Sequence, residues 1–346
     1  MIRFECDYAE GAHPAILESL INSNFEQTKG YGEDEHCANA RRLIRQICED
    51  ETVDVHFLVG GTQANMTIIA SALRPHQGVI AVDSGHINVH ETGAIEATGH
   101  KIIALKGVDG KLSASQIEET VSAHWSDENH EHIVQPGMVY ISNPTEKGTI
   151  YSRRELQEIS LVCHECGLTL FMDGARLGYG LAAEDNDLDL PEITRLCDVF
   201  YIGGTKVGAF FGEAVVITAD ALKKDFRYMI KQRGGMLAKG RLLGIQFETL
   251  FTNGLYFDIS RHAVRLAMKI RDAFRAKNIS FYAESPTNQQ FPILTKSQKD
   301  ALSSKYAFEL WTKIDANRSA VRFSTSWATR EEDVETLIRD IEGLVV

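Results

Sequence analysis

Lys206 ends the stretch Val199-Phe200-Tyr201-Ile202-Gly203-Gly204-Thr205-Lys206, in which an apolar run closes on two glycines. Such a run reads as a buried strand of a parallel sheet whose end opens into a loop. The small residues Gly208 and Ala209 beyond it let a flat ligand approach the backbone, and a lysine held there can form an imine with a carbonyl. A surface lysine in a glycine-rich turn has the same local sequence, and Lys106 and Lys147 also lie near glycines after strand-like runs.

A second apolar run ends in Phe171-Met172-Asp173-Gly174-Ala175-Arg176 and places Asp173 in what should be the layer of Lys206. A buried carboxylate is costly unless a cation faces it. A protonated pyridine nitrogen is such a cation, and a lysine imine with an acidic partner at the ring nitrogen is the protein signature of pyridoxal phosphate. The third group is Gly60-Gly61-Thr62-Gln63-Ala64-Asn65, a strand-to-helix turn whose free N–H groups can surround a phosphate. A plain tight turn reads the same way, and the spacing of the common nucleotide fingerprints is absent.

The elements that position these groups follow from periodicity. Strands are expected near 53–59, 79–82, 101–105, 138–142, 168–172, 199–202 and 214–218, most of them separated by helix-length segments. One helix begins at the capping box Ser152-x-x-Glu155, and the last begins at Thr329-x-x-Glu332, with Val334, Leu337, Ile338 and Ile341 at core spacing. Ile16, Leu17, Leu20 and Ile21 form a short helical pattern near the start. This alternation predicts an α/β fold, a mostly parallel seven-stranded sheet with helices on both faces and ligands at the carboxyl ends of the strands. Gly234-Gly235 marks a break, dividing a large cofactor-binding domain with an N-terminal arm (1–240) from a small α+β domain (241–346).

With 346 residues, 44% of them hydrophobic and 24% charged, the chain has the composition of an ordinary globular protein. A net charge of -12 disfavours nucleic acid and anionic membrane surfaces as partners. The six cysteines fit reduced thiols in a cytoplasmic protein, and the acidic start lacks the apolar core of a secretory signal. Cys163-His164-Glu165-Cys166 and His130-Glu131-His132 read as helix and loop residues, so no metal is expected.

Taken together, Tyr31-Gly32-Glu33-Asp34, Gly61-Thr62, His86 in Gly85-His86-Ile87, Asp173-Gly174-Ala175-Arg176, Lys206 and Val321-Arg322-Phe323 resemble the threonine aldolase family of pyridoxal-phosphate enzymes over nearly the whole chain. The resemblance implies the aspartate-aminotransferase-like fold (fold type I), with Lys206 as the imine lysine and Asp173 as the ring-nitrogen partner. It implies His86 stacked on the ring, Gly61, Thr62 and Thr205 on the phosphate, and Arg176, Arg322 and Tyr31 on the substrate. Independently, Val321 and Phe323 alternate with Arg322, which sets the arginine off the apolar face of a short strand. Two departures stand out: Cys6 replaces the family's usual serine, and Ser142-Asn143-Pro144-Thr145-Glu146 lacks a second histidine that many members carry.

The function implied is cleavage of L-threonine or L-allo-threonine to glycine and an aldehyde, in a homodimer or homotetramer with active sites near the subunit interface. A β-eliminating lyase acting on another amino acid, and a non-catalytic binding protein retaining the fold, are the alternatives. His86, a water or Glu146 could take the proton of the β-hydroxyl. With the second histidine missing, His86 or water is expected to make the chief contact to that hydroxyl, and discrimination between the epimers to be weak.

Overall fold

The computed structural model describes residues 1–345. After a short strand β1 (Ile2–Arg3), seven strands pair into one sheet: β2 (Asp54–Leu58), β3 (Gln77–Val82), β4 (Ile102–Leu105), β5 (Gln135–Ser142), β6 (Thr169–Asp173), β7 (Val199–Gly203) and β8 (Glu213–Ile217). Their order across the sheet is β2-β8-β7-β6-β5-β3-β4; β8 runs antiparallel to both neighbours and the remaining pairings are parallel.

Period-two alternation sorts each central strand between two apolar layers. Val139, Met172, Phe200 and Val216 pack on one face with the helices Glu35–Cys48, Arg153–Glu165 and Arg241–Phe251. Met138, Phe171, Tyr201 and Val215 pack on the other with the helix Gly61–Ala72. Burial on both faces is why β5 and β7 read in the sequence as unbroken apolar runs. The capping box at Ser152 is formed: its hydroxyl accepts the Glu155 N–H at 3.3 Å while the Glu155 carboxylate accepts the Ser152 N–H at 2.8 Å. The one expected at Thr329 is not, because that hydroxyl accepts the Ser326 N–H at 2.8 Å. The last helix, Glu331–Glu342, starts instead with three acidic residues in its first turn. Ile16 is buried in the first helix, Pro14–Asn22, but Ile21 is 71% exposed, so that helix is only partly covered by its own chain.

The C-terminal part carries β9 (Gln289–Gln290), β10 (Ile293–Thr295), β11 (Tyr306–Ala307), β12 (Glu309–Lys313) and β13 (Arg318–Ser324). β13 lies between β10 and β12 and also pairs with β9, all antiparallel, while β1 pairs in parallel with β11. The amino terminus therefore belongs to this part, with Phe4 buried among Leu266, Phe274 and Phe323. The core of the large sheet extends through the helix Arg241–Phe251 and into the helix Leu255–Ala276 as far as Val264; the separate C-terminal core begins at Leu266.

Because β2, β3, β5, β6 and β7 all run in one direction, their carboxyl ends come to one edge, and with them Gly61, His86, Glu146, Asp173 and Lys206. Because β8 is antiparallel, its first residue reaches the same edge, where Glu213 is in register with Gly203. No helix among the described residues is long and apolar enough to cross a membrane.

Candidate active site

The ends of β6 and β7 approach so closely that side chains are excluded between them. A Cβ on Gly174 would lie 1.9 Å from the Tyr201 carbonyl oxygen, and one on Gly203 would lie 2.2 Å from that of Ala175. The Gly203 N–H donates to the Gly174 carbonyl at 2.9 Å. This seam puts Asp173 and Lys206 on one cavity of about 300 Å³, also lined by Gly60, Gly61, Thr62, Thr205 and Tyr201. Asp173 is 5% exposed. Its Oδ2 accepts from the Tyr140 hydroxyl at 2.6 Å and the Asn65 amide at 3.3 Å, and its Oδ1 accepts the Ala175 N–H at 3.0 Å. Burial raises its pKa, but the His86 charge and the tyrosine hydroxyls outweigh that and hold the carboxyl below its ordinary value. Asp173 is thus an anion built into the floor of the cavity. Burial, and after it the charge of Arg176, lowers the pKa of Lys206, which favours a neutral, nucleophilic amine.

At the other end of the cavity, the helix Gly61–Ala72 begins at Gly60 with no side-chain cap. A Cβ on Gly60 would meet nothing within 4 Å. Uncapped N–H groups facing open space fit a phosphate group. The Thr205 hydroxyl donates to Glu213 at 2.9 Å and accepts the Gly212 N–H at 3.0 Å. Glu213 is buried, with Oε2 lacking a hydrogen-bond partner, and burial pushes its carboxyl up to about 8. A buried anion, a lysine and an uncapped helix start around one space fit a flat, phosphorylated pyridine cofactor such as pyridoxal phosphate.

His86 lines this cavity and an adjoining one of about 370 Å³. Its Nδ1 lies 2.9 Å from Glu91 Oε1, which also accepts from the Asn65 amide at 2.7 Å. Burial opposes protonation, but the Glu91 hydrogen bond and the Asp173 charge prevail and raise the pKa of His86. With Nδ1 committed, Nε2 is the ring nitrogen left to face a ligand. The Glu146 carboxylate lines both cavities, and its Oε1 accepts the His86 backbone N–H at 2.9 Å and the Ser142 hydroxyl at 2.8 Å.

Arg176 also lines both cavities, whereas Arg322 lines the second. The Arg176 guanidinium is gripped by the fully buried Asp7, with Nε to Oδ2 at 2.6 Å and Nη2 to Oδ1 at 3.0 Å. Arg322 pairs with Glu309 and lies 5.3 Å from the centre of the Trp311 ring. With its amide assigned so that the oxygen faces both guanidinium groups, Gln289 accepts from Arg176 Nη2 at 3.3 Å and from Arg322 Nη1 at 3.0 Å. Tyr31 lies elsewhere in the chain: it is 48% exposed at φ 61°, beneath Lys231 Nζ at 5.0 Å, and lines neither cavity. Cys6 is partly buried beside Asp7, and burial raises its thiol pKa.

The structure therefore gathers Lys206, Asp173, His86, Gly61, Thr62, Thr205 and Arg176 on one cavity and Arg322 on its neighbour. Sequence reasoning missed Asp7, Asn65, Glu91, Tyr140, Tyr201, Glu213 and Gln289, which hold those groups in place. A signal existed for Tyr140 and Tyr201: each puts a hydroxyl within an apolar strand, and a buried hydroxyl requires a partner.

The chain matches the model of the beta-eliminating lyase family over residues 6–298. A solved threonine aldolase of Leishmania major superposes with a TM-score of 0.97 at 44% identity, covering 100% of both chains. The chain is 29% identical to a low-specificity L-threonine aldolase of a Pseudomonas species, over 99% of this chain and 98% of that one. Aspartate aminotransferase of Thermus thermophilus shares the fold at a TM-score of 0.71 and 12% identity, over 100% of this chain and 92% of that one.

Proposed function

The chain belongs to the threonine aldolases within the beta-eliminating lyase family, and on that premise we propose that it cleaves L-threonine and L-allo-threonine to glycine and an aldehyde. The observation that carries this reading is the meeting of Lys206, the Asp173 anion and paired guanidinium groups on two adjoining cavities. Pyridoxal phosphate is the cofactor; when bound, it supplies an electron sink for the bonding pair released at the amino acid's Cα.

Each residue has a task in this reading. Lys206 would hold the cofactor and yield that place to the substrate's amino group. Asp173 would keep the ring nitrogen protonated, and the Tyr140 hydroxyl and the Asn65 amide keep that carboxylate aimed. Gly61, Thr62 and Thr205 hold the phosphate at the helix start. His86, oriented by Glu91, would cover the ring face and present Nε2 to the substrate. Arg322, helped by Arg176, takes the substrate carboxylate as a fork that matches two oxygens. Held so, the Cα–Cβ bond breaks when the β-hydroxyl loses its proton, and a proton returned to Cα gives glycine.

A homodimer or homotetramer with active sites near a subunit interface is part of the proposal. It is supported by Tyr31, which lies apart from the cavities of its own chain, and by Phe25 and Tyr228, which are 94% and 76% exposed. The six cysteines, all free, support a cytoplasmic location. A large domain of residues 1–240 and a small one of 241–346 are supported by the separate C-terminal core, although the helix Arg241–Phe251 packs with the large sheet.

The family model also favours a second reading, β-elimination on another amino acid. A substrate panel on cofactor-loaded protein separates the two: glycine with an aldehyde supports the proposal, whereas pyruvate with ammonia overturns it.

A further inference from the structure

The two cavities share five lining residues, Tyr8, His86, Glu146, Arg176 and Lys206. A substrate held between the cofactor site on one side and Arg322 on the other would lie among them, so the acceptor of the β-hydroxyl proton should be found in this set. Burial raises the Tyr8 phenol and keeps it protonated, and a guanidinium such as Arg176 does not deprotonate. His86, paired with Glu91 and facing Asp173, is held toward its cationic, donating form. Lys206 is the residue that would hold the cofactor, and in the function proposed above it would serve Cα and not the β-hydroxyl. Glu146 remains.

Its position suits the task. Glu146 Oε1 is fixed by the His86 backbone N–H at 2.9 Å and the Ser142 hydroxyl at 2.8 Å, while Oε2 is buried without a hydrogen-bond partner. Asp173, Tyr140 and Tyr151 face it from the neighbouring elements, and His86, Arg176 and Lys206 face it from the cavities. Burial raises its pKa above the ordinary carboxylate value, which brings its basicity nearer to neutral pH.

Resting on the function proposed above, we propose that Glu146 is the catalytic base that removes the β-hydroxyl proton of the substrate. The O–H bond breaks with its proton passing to the Glu146 carboxylate, the C=O bond of the aldehyde forms, and the Cα–Cβ bonding pair passes to Cα. Cα then takes one proton to give glycine and Glu146 returns one to solvent, so protons balance over the cycle.

The test compares L-threonine cleavage with exchange of the glycine α-proton into D2O, followed by NMR on cofactor-loaded protein. Exchange requires Lys206 and the cofactor but no β-hydroxyl. Glu146→Gln keeps an acceptor for both donors, and the expected result is a loss of about 10²- to 10⁴-fold in cleavage with exchange within about threefold of wild type. In wild-type protein, kcat/KM for cleavage should show an acid limb that glycine exchange lacks, a measurement that decides the matter even where the variant does not fold. Cleavage by Glu146→Gln within about threefold of wild type, an equal fall in both activities, or the same acid limb in both profiles overturns the assignment. Exchange without any aldehyde from the wild-type protein instead overturns the substrate reading, and this proposal with it.

Discussion

Glu309 and Arg322 face each other directly across the β12–β13 ladder, and the carboxylate of one is paired with the guanidinium of the other. An internal carboxylate thus sits where the substrate's is expected. The Glu309 side chain is 43% exposed, so the pair is screened and worth at most about 1 kcal/mol. The substrate carboxylate, anchored also through its amino group, should displace it. Arg322→Ala is expected to lose roughly thirty-fold or more in kcat/KM, since truncating one side of a desolvated charge pair costs about 2–5 kcal/mol. Glu309→Gln should act in the opposite direction, lowering KM by up to about fivefold with kcat unchanged. Steady-state kinetics on both variants checks the pair, and an unchanged kcat/KM in Arg322→Ala removes that residue from the site.

The ion pair behind it is of a different kind. Asp7 is fully buried, and it accepts from Arg176 twice and from the Asn288 amide at 2.9 Å. Asp7→Ala leaves a guanidinium in a dry site without its counter-ion and should destabilise the protein by about 3–5 kcal/mol, read by denaturant unfolding. Burial raises the Asp7 pKa, but Arg176 outweighs it and the folded value lies below the ordinary 3.8. Its contribution is therefore present above the unfolded pKa and is lost as pH falls through the lower, folded one. Between pH 5 and 8 the Asp7→Ala deficit should be constant, and it should shrink below about pH 4.

These two arginines show what the sequence made legible. Lys206, Asp173 and Gly61 each close an apolar run, so the sheet that carries them and the edge on which they meet follow from period and punctuation. The partner of Arg176 does not: Asp7 is 169 positions away and is itself held by Asn288, 281 positions further along the chain, and β1 with β11 ties the amino terminus to the C-terminal part. No local pattern encodes a contact of that range. The same holds for Glu213, whose arrival at the site depends on β8 running antiparallel, which an apolar run does not reveal. Thr329 failed for a local reason, as a competing backbone donor claimed its hydroxyl.

Glu213 gives a prediction about pH. Its folded carboxyl, raised by burial to about 8 from an ordinary 4.5, keeps a proton that the unfolded chain has already lost over that interval. The native state binds more protons there, so this group's contribution to stability falls as pH rises and levels off above about 8. Glu213→Gln removes the titration. Thermal unfolding of the cofactor-free proteins should show the variant gaining on wild type between pH 6 and 8, by at most about 1.4 kcal/mol per pH unit. A difference that does not change with pH would mean that Glu213 is ionised throughout.

The β-hydroxyl provides the remaining prediction, because threonine and allo-threonine direct it differently from the same anchored carboxylate and amino group. With no second histidine in the sequence, His86 or water is the expected chief contact; Glu146, already a candidate there for the hydroxyl proton, lines both cavities beside His86. Both groups line the same cavities, so the hydroxyl of either epimer can give its proton to Glu146 while its oxygen accepts from His86 Nε2, and the epimers differ in how well that second contact is made. The epimers should then differ by about one moderate hydrogen bond, 0.5–1.5 kcal/mol, or roughly two- to twelve-fold in kcat/KM. Measuring both L-epimers with the wild-type protein decides the point. A preference above about a hundred-fold, roughly 2.7 kcal/mol, would show that one fixed group reads the hydroxyl and that the second contact is not made.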